Sequence, residues 1–340
     1  MRETMRAAVF EVPGEVIIKE MPYPAPGPGE VTIEVRACGL CGTDWHLFRG
    51  EFPAHYPLIP GHEFAGVIAK AGLDSGGWCI GDRVIVDPNI ACGQCYFCRK
   101  GQVNHCLNHQ AIGVTRDGAF AEFVVVPARN VYAIGEDLTF DEAAMVEPLS
   151  CVVYGLRRLR LQAGDQILIF GAGPIGLLLM QGCKHGGAST VTVVDLDEKR
   201  LEVARSLGAT HMVLADDQQE ATLREIARYG YDAVIDATGV PSVVERCLNY
   251  VKSGGKLLLF GVCPQEAEVT ISPFEVYRRD LEIIGTFALR YTFDAALALL
   301  QNRVIQVEPL IRPVLRLEDV PAMLTGREAA MDVLKAMIKP

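Results

Sequence analysis

The sequence is poor in positive charge. Its 32 Lys and Arg stand against 42 Asp and Glu, a formal net charge of −10, and the sequence pI is about 5.3. An acidic chain with dispersed Lys and Arg does not hold a phosphate backbone by bulk attraction, so no nucleic-acid partner is expected. There is also no run suited to crossing a bilayer. The uncharged stretch from Gln166 to Cys183 is broken by Gly171, Gly173, Pro174, Gly176 and Gly182. It reads as a strand, a turn and the start of a helix rather than a membrane span. The opening residues, Met1-Arg2-Glu3-Thr4-Met5, lead into no apolar leader, so neither export nor a membrane is expected, and the chain reads as cytoplasmic. No internal repeat and no low-complexity tract appears. Half the residues are apolar and 22% are charged, which excludes global disorder. The 340 residues suggest about two domains.

Cysteine is present in an odd number, eleven, and is unevenly spread. Cys92, Cys95, Cys98 and Cys106 form a single C-x2-C-x2-C-x7-C cluster. In a chain without an export signal, such a cluster reads as metal-binding before it reads as disulfides. Four thiolates fill a zinc tetrahedron and leave no position for a reacting water, so the site is expected to be structural. Two disulfides or an iron–sulfur cluster are the alternatives.

Up to about residue 135, short β-branched runs such as 31–35, 65–68, 83–86 and 122–126 are separated by glycine and proline, which suggests a β-barrel or sandwich. Thr139 and Glu142 fit a capping box ahead of an apolar-periodic helix. From residue 165 the pattern alternates. Strands are expected at 166–170, 190–194, 212–214, 233–235, 256–260 and 281–284, with helices at 175–185, 199–207, 221–229 and 243–251. Such alternation implies an α/β, doubly wound parallel sheet. Helices are also expected at 293–300 and 318–324, and a short strand or helix at 333–338.

Gly171-Ala172-Gly173-Pro174-Ile175-Gly176 follows the first of these strands and opens a helix. Gly171 permits a tight turn, Gly173 lets backbone approach a pyrophosphate, and Gly176 lets helix and strand pack closely. Asp195 ends the next strand, where a carboxylate accepts both ribose hydroxyls and repels a 2′-phosphate, favouring NAD over NADP. Arg200 either stacks on adenine or lies on a solvated helix face.

A second metal site is suggested by Cys41, with Thr43, Asp44 and His46 close behind it, and by His62-Glu63. Thiolate, imidazole and carboxylate are all zinc ligands, and mixed sets that keep one position free are of the catalytic type. Read alone, His62-Glu63 fits a buried histidine beside a surface glutamate better than a pair of ligands.

Gly61-His62-Glu63-x2-Gly66-x5-Gly72-x2-Ser75 is similar to the zinc-containing alcohol dehydrogenase signature. Cys41-Gly42-Thr43-Asp44, Gly81-Asp82-Arg83-Val84, the four-cysteine cluster and the glycine turn follow that family's order. Over nearly its whole length the chain resembles the zinc-dependent branch of the medium-chain dehydrogenase/reductase superfamily. Glu147-Pro148-Leu149-Ser150 resembles the polyol (sorbitol-type) and threonine dehydrogenase groups.

This resemblance implies a GroES-like catalytic domain at 1–151 with a structural zinc lobe at about 92–106. A Rossmann domain at 152–289 follows, and a segment at 290–340 completes the catalytic domain. It implies two zinc ions per chain and a homo-oligomer, tetramer or dimer. Cys41, His62 and Glu63 would hold the catalytic zinc, with Glu147 as fourth ligand or water-linked partner. Cys151, one helical turn further on, is a neighbouring candidate. Asp44 would accept the His62 N–H and fix its tautomer. The implied reaction is NAD-linked oxidation of a secondary alcohol to a ketone, with the proton leaving through Thr43 and His46. Thr238 and Gly239, Val262, and the segment Gly285-Thr286-Phe287 would line the nicotinamide. Arg290-Tyr291 is similar to a substrate-side pair of polyol dehydrogenases, though spaced two residues further from Gly285. Leu47 stands where sorbitol-type enzymes carry tyrosine. A small-molecule substrate is expected, a sugar alcohol other than sorbitol or a vicinal diol. L-Threonine or a general secondary alcohol is the alternative.

Overall fold

The computed structural model describes residues 3–52, 54–326 and 333–340. The domain bounds at 1 and the passages through 53 and 327–332 lie outside the described residues. The chain divides into two compact units. One is Met1–Pro148 with Phe293–Asn302 and Val307–Pro340; the other is Leu149–Thr292 with Arg303–Gln306. The sequence reading set its divisions at 151/152 and 289/290.

The first unit is β-rich. Its larger sheet runs in the order Ile311–Arg316, Lys335–Lys339, Glu30–Gly39, Glu63–Ala71, Arg83–Val86, Val131–Ala133, and Phe123–Pro127 also pairs with Glu30–Gly39. In Glu30–Gly39 the alternate residues Val31, Ile33, Val35 and Ala37 are buried, as expected where one sheet face meets the core. Phe10, Phe64, Ile68 and Phe120 pack into the same core. Three chain segments far apart in sequence meet at Gly39, which is in register with Glu63 on one side and Met337 on the other. A Cβ at Gly39 would lie 2.3 Å from Glu63 Oε2 and 2.9 Å from Lys335 Cε, so only glycine lets both side chains fill that space. Two-residue strands Asn89–Ile90 and Gln110–Ala111 pair at the base of the cysteine lobe. The expected capping box is present: Thr139 and Glu142 close it at the start of helix Phe140–Ala144.

The second unit holds a six-stranded, wholly parallel sheet. Its order is His211–Leu214, Thr190–Asp195, Gln166–Phe170, Tyr231–Asp236, Val251–Leu259, Glu282–Gly285. The chain starts in the middle, winds outward one way, then returns to wind the other way. Ile167, Leu168 and Ile169 are fully buried, because helices cover both faces of such a sheet. The order reverses between Gln166–Phe170 and Tyr231–Asp236, the crevice where α/β sheets of this winding bind ligands. One expected helix is shorter than read. It spans Pro241–Cys247, and Val251 starts a strand instead, paired with Tyr231 ahead of a bulge. Sheet pairing of the β-branched Val251 outweighs the helical periodicity there. Among the described residues no helix is long and apolar enough to cross a membrane.

Candidate active site and metal centres

Cys41 caps the short helix Gly42–Phe48. Its backbone N–H donates to Asp44 Oδ2 at 2.8 Å. That local bond turns Thr43, Asp44 and His46 around one helical turn. Glu63 opens the strand Glu63–Ala71, directly after His62. The two segments meet: donor atoms of Cys41, His62 and Glu63 all lie within 4.8 Å of one another. His62 and Glu63 are buried, and Asp44 is wholly so. The Thr43 hydroxyl lies 3.7 Å from Cys41 Sγ.

Buried polar atoms here are left without a hydrogen bond, Glu63 Oε2 being met only by an ion pair with Lys335. Asp44 Oδ1, His62 Nδ1 and Glu63 Oε2 have no hydrogen bond of acceptable geometry. Buried polar groups are normally satisfied, so orphans concentrated in one place point to a missing partner. Asp44 Oδ1 and His62 Nδ1 face each other at 3.6 Å. That leaves the other ring nitrogen for the Cys41 side and fits a divalent cation held by Sγ, Nε2 and a carboxylate, with Asp44 orienting the ring. His62 is pushed well above its ordinary value. Burial pulls it down, but Cys41 and Asp44 outweigh that.

Two cationic and anionic neighbours complete the picture. Lys335, on the strand Lys335–Lys339, is 5% exposed and ion-paired with Glu63, which is 1% exposed. Burial alone would lower the ammonium; Glu63 and Cys41 drive it upward instead. Glu147, on helix Val146–Leu159, lies outside the cluster of mutually close donors. Burial pushes its carboxyl up to about 7, with His62 opposing and Glu63 adding. Nothing in the motif spacing pointed to Lys335. The usable signal was one charge inside the apolar run Leu334-Lys335-Ala336-Met337-Ile338. Cys38, close to Cys41 in sequence, is fully buried, and burial with Asp44 and Glu63 raises its thiol. It fills core rather than serving as a ligand.

In the lobe, Cys92, Cys95, Cys98 and Cys106 converge with their sulfurs within 4.8 Å of one another, and all are free thiols. Cys106 Sγ accepts N–H bonds from Cys92 and Asn108, each at 3.3 Å. Backbone amides of Gln94 and Cys95 lower the Cys92 thiol to about 6, whereas burial raises Cys98 to about 12. Four sulfurs this close cannot all ionise without a cation between them, so the set fits a divalent metal.

The glycine turn sits at the reversal of strand order. Gly171 has φ +104°, and a Cβ at Gly176 would lie 1.8 Å from Gly171 O. Gly173 caps helix Pro174–His185, with Pro174 and Ile175 in its first turn. Asp195 is held on both oxygens, by Ala172 N–H at 2.6 Å and Asp197 N–H at 3.0 Å. Thr238 lies against Gly171, its Cγ2 3.2 Å from where a Cβ would stand. Buried Asp236 anchors it, accepting from the Thr238 hydroxyl at 2.6 Å. Val262 is exposed beside Gly239, and the Thr286 hydroxyl is another buried orphan. Arg200 Nε is 3.8 Å from Asp197 Oδ2. Burial pushes the Tyr154 phenol up, but the neighbouring Arg158 and Arg290 guanidinium groups together outweigh it and lower the phenol. Tyr291 is exposed, and Cys151 is partly buried.

Comparison with known proteins matches both halves. The alcohol dehydrogenase GroES-like domain matches residues 27–136, and the zinc-binding dehydrogenase domain matches residues 174–302. D-arabinitol dehydrogenase 1 of Uromyces fabae is 37% identical over 341 residues, covering 99% of this chain and 97% of its own length. D-altritol 5-dehydrogenase of Agrobacterium fabrum is 40% identical over 303 residues, 88% of each chain. A solved structure described as a zinc-binding dehydrogenase, from Sinorhizobium meliloti 1021 with NADP bound, superposes with a TM-score of 0.95. It shares 34% identity over 100% of both chains. With both domain types matched in sequence order, and dehydrogenases aligned over nearly their full lengths, the chain belongs to the zinc-dependent medium-chain alcohol dehydrogenase family of oxidoreductases.

Proposed function

We propose that the protein oxidises a secondary alcohol of a sugar alcohol or vicinal diol to the ketone, using NAD and one catalytic zinc, with a second, structural zinc in the cysteine lobe. The observation that carries this reading is the convergence of Cys41, His62 and Glu63 beside Thr43. A mixed donor set leaves room for a substrate oxygen, which the four-thiolate lobe does not. The polyol class is supported by the arabinitol and altritol dehydrogenases among the relatives.

When bound, zinc supplies Lewis acidity that lowers the pKa of an alcohol, and the nicotinamide supplies the hydride acceptor. The chain's residues do the rest. Cys41, His62 and Glu63 would hold the metal, and Asp44 would fix the His62 tautomer. Glu147, with its raised carboxyl, stands by as a further oxygen donor. Thr43 Oγ1 accepts the substrate hydroxyl proton, and His46 passes it outward. The Gly171–Gly176 turn and the start of helix Pro174–His185 offer backbone N–H groups to the pyrophosphate. Asp195, fixed by two backbone amides, accepts ribose hydroxyls and disfavours a 2′-phosphate. Arg200 flanks the adenine, and Thr238, Val262 and Thr286 line the nicotinamide. The chain acts as a homo-oligomer. Support comes from the edge strand Glu282–Gly285, where Ile283 is exposed, and from Phe274 and Tyr277 exposed on helix Pro273–Arg278.

The test is a screen of NAD and NADP reduction across polyols, diols, simple secondary alcohols and L-threonine, run on wild type and on Cys41→Ser. Wild type is expected to prefer NAD and a polyol or diol. Cys41→Ser should still bind NAD but lose at least about a thousandfold in rate, since Lewis-acid stabilisation contributes several kcal/mol. Near-normal turnover in Cys41→Ser with undiminished zinc would overturn the mechanism; a wild-type preference for NADP would overturn the role given to Asp195.

A further inference from the structure

The short turn after helix Gly42–Phe48 folds back on His46. Gly50, at φ +73°, lets the chain reverse, and the Glu51 backbone N–H donates to His46 O at 2.9 Å. The Glu51 side chain returns to the same residue: Oε2 lies 2.6 Å from His46 Nδ1. Residue 51 is thus bonded to residue 46 through both main chain and side chain. Arg49 Nη1 lies 3.9 Å from the same Oε2, and Phe52 flanks the imidazole with ring centroids 5.9 Å apart. The imidazole is 25% exposed and the Glu51 side chain 48% exposed. The inner partner is therefore a ring with limited access to water, and the outer one is a carboxylate open to it.

We propose that Glu51 is a positioning residue for proton exit, resting on the relay role given to His46 above. A carboxylate accepts but does not donate, so Nδ1 must carry the proton in the His46–Glu51 bond. In the neutral ring that places the lone pair on Nε2, free to accept the proton released through Thr43. The step balances without electron movement. One proton enters at Nε2, the imidazolium is held through Nδ1–H against the Glu51 carboxylate, and the Nε2 proton then leaves to water or buffer base, restoring the neutral Nδ1–H ring. The logic is that of a carboxylate orienting a catalytic histidine. An exposed ion pair by itself stabilises little, so a function in tautomer control predicts effects that a surface contact would not have.

The experiment compares wild type, Glu51→Gln and Glu51→Ala as zinc-loaded full-length enzymes. Nitrogen-15 histidine spectra read the His46 tautomer without any turnover. Steady-state kinetics with D-arabinitol and NAD read kcat and KM. His46 is expected in the Nδ1–H form in wild type and in Glu51→Gln, whose amide oxygen can still accept. In Glu51→Ala it should shift substantially to the Nε2–H form. There kcat should fall about three- to tenfold, the scale of a lost outer proton-transfer partner, with both KM values within about twofold and recovery in imidazole buffer. An unchanged tautomer in Glu51→Ala, or an unchanged kcat despite a switched tautomer, overturns the proposal. A wild type that reduces no NAD with any polyol would sink the oxidation reading instead, while the spectra still decide whether Glu51 holds His46.

Discussion

At the scale of single residues, the chemistry depends on how buried charges are balanced. Lys335 and Glu63 form an ion pair that is almost completely buried. Removing one member of such a pair strands the other and costs about 3–5 kcal/mol. Lys335→Met should therefore destabilise chelator-treated protein by that order, and zinc-loaded protein by less, because the cation then neutralises Glu63. Urea unfolding in both states measures it; equal losses would remove the counter-charge role. Asp87 offers a second case. Burial raises its carboxyl to about 6, against the opposing pull of two Asn89 hydrogen bonds. An acid with a raised folded-state pKa keeps its proton longer in the folded than in the unfolded state. Its contribution to stability therefore falls as pH rises from about 4 to about 6 and is flat above that window. Asp87→Asn should gain about 1 kcal/mol relative to wild type between pH 5 and pH 7; a constant difference across that range would contradict the assignment. Cys41, His62, Glu63 and the four lobe cysteines were legible because their spacing encodes metal chemistry. Lys335, Asp87 and Glu51 were not, because each acts through a partner that only the folded chain brings near.

At the scale of elements, legibility followed burial. The central parallel strands Gln166–Phe170 and Thr190–Asp195 are buried on both faces, so they read as unbroken apolar runs, and Gln166–Phe170 was located to the residue. Glycine and a capping residue punctuate helices Pro174–His185 and Phe140–Ala144, and both starts were readable. The short helix Pro273–Arg278 was not, since none of its residues is buried and no apolar stripe marks it. The cysteine lobe has almost no regular structure: two-residue strands, the four-residue helix Tyr96–Arg99 and the short turn Val103–His105. With so little hydrogen-bonded backbone, the lobe is expected to depend for its order on a metal held by its four cysteines. Cys95→Ala is expected to lower the melting temperature and the zinc content together, while NAD binding persists. An unchanged melting curve with full zinc would show the lobe holding itself.

At the scale of the whole molecule, the edge of the parallel sheet is the exposed liability. Strand Glu282–Gly285 ends the sheet, with Ile283, Phe274 and Tyr277 exposed on and before it. Free strand edges with apolar side chains invite pairing with another chain. Ile283→Lys is expected to shift sedimentation toward a smaller species without changing zinc content; an unchanged oligomer would exclude this edge. The meeting of strands at Gly39 has a different bearing, on the order of events during synthesis. Glu63 leaves the ribosome long before Lys335, the strand partner region that neutralises it. At roughly 5–20 residues per second, the interval is on the order of tens of seconds. Throughout that time the nascent carboxylate has no lysine to bury against. A long-range contact of this kind also slows folding after release. The sheet of the first unit thus closes late, and the cluster of Cys41, His62 and Glu63 acquires its buried ammonium only after the more than two hundred residues between Glu63 and Lys335 have been made.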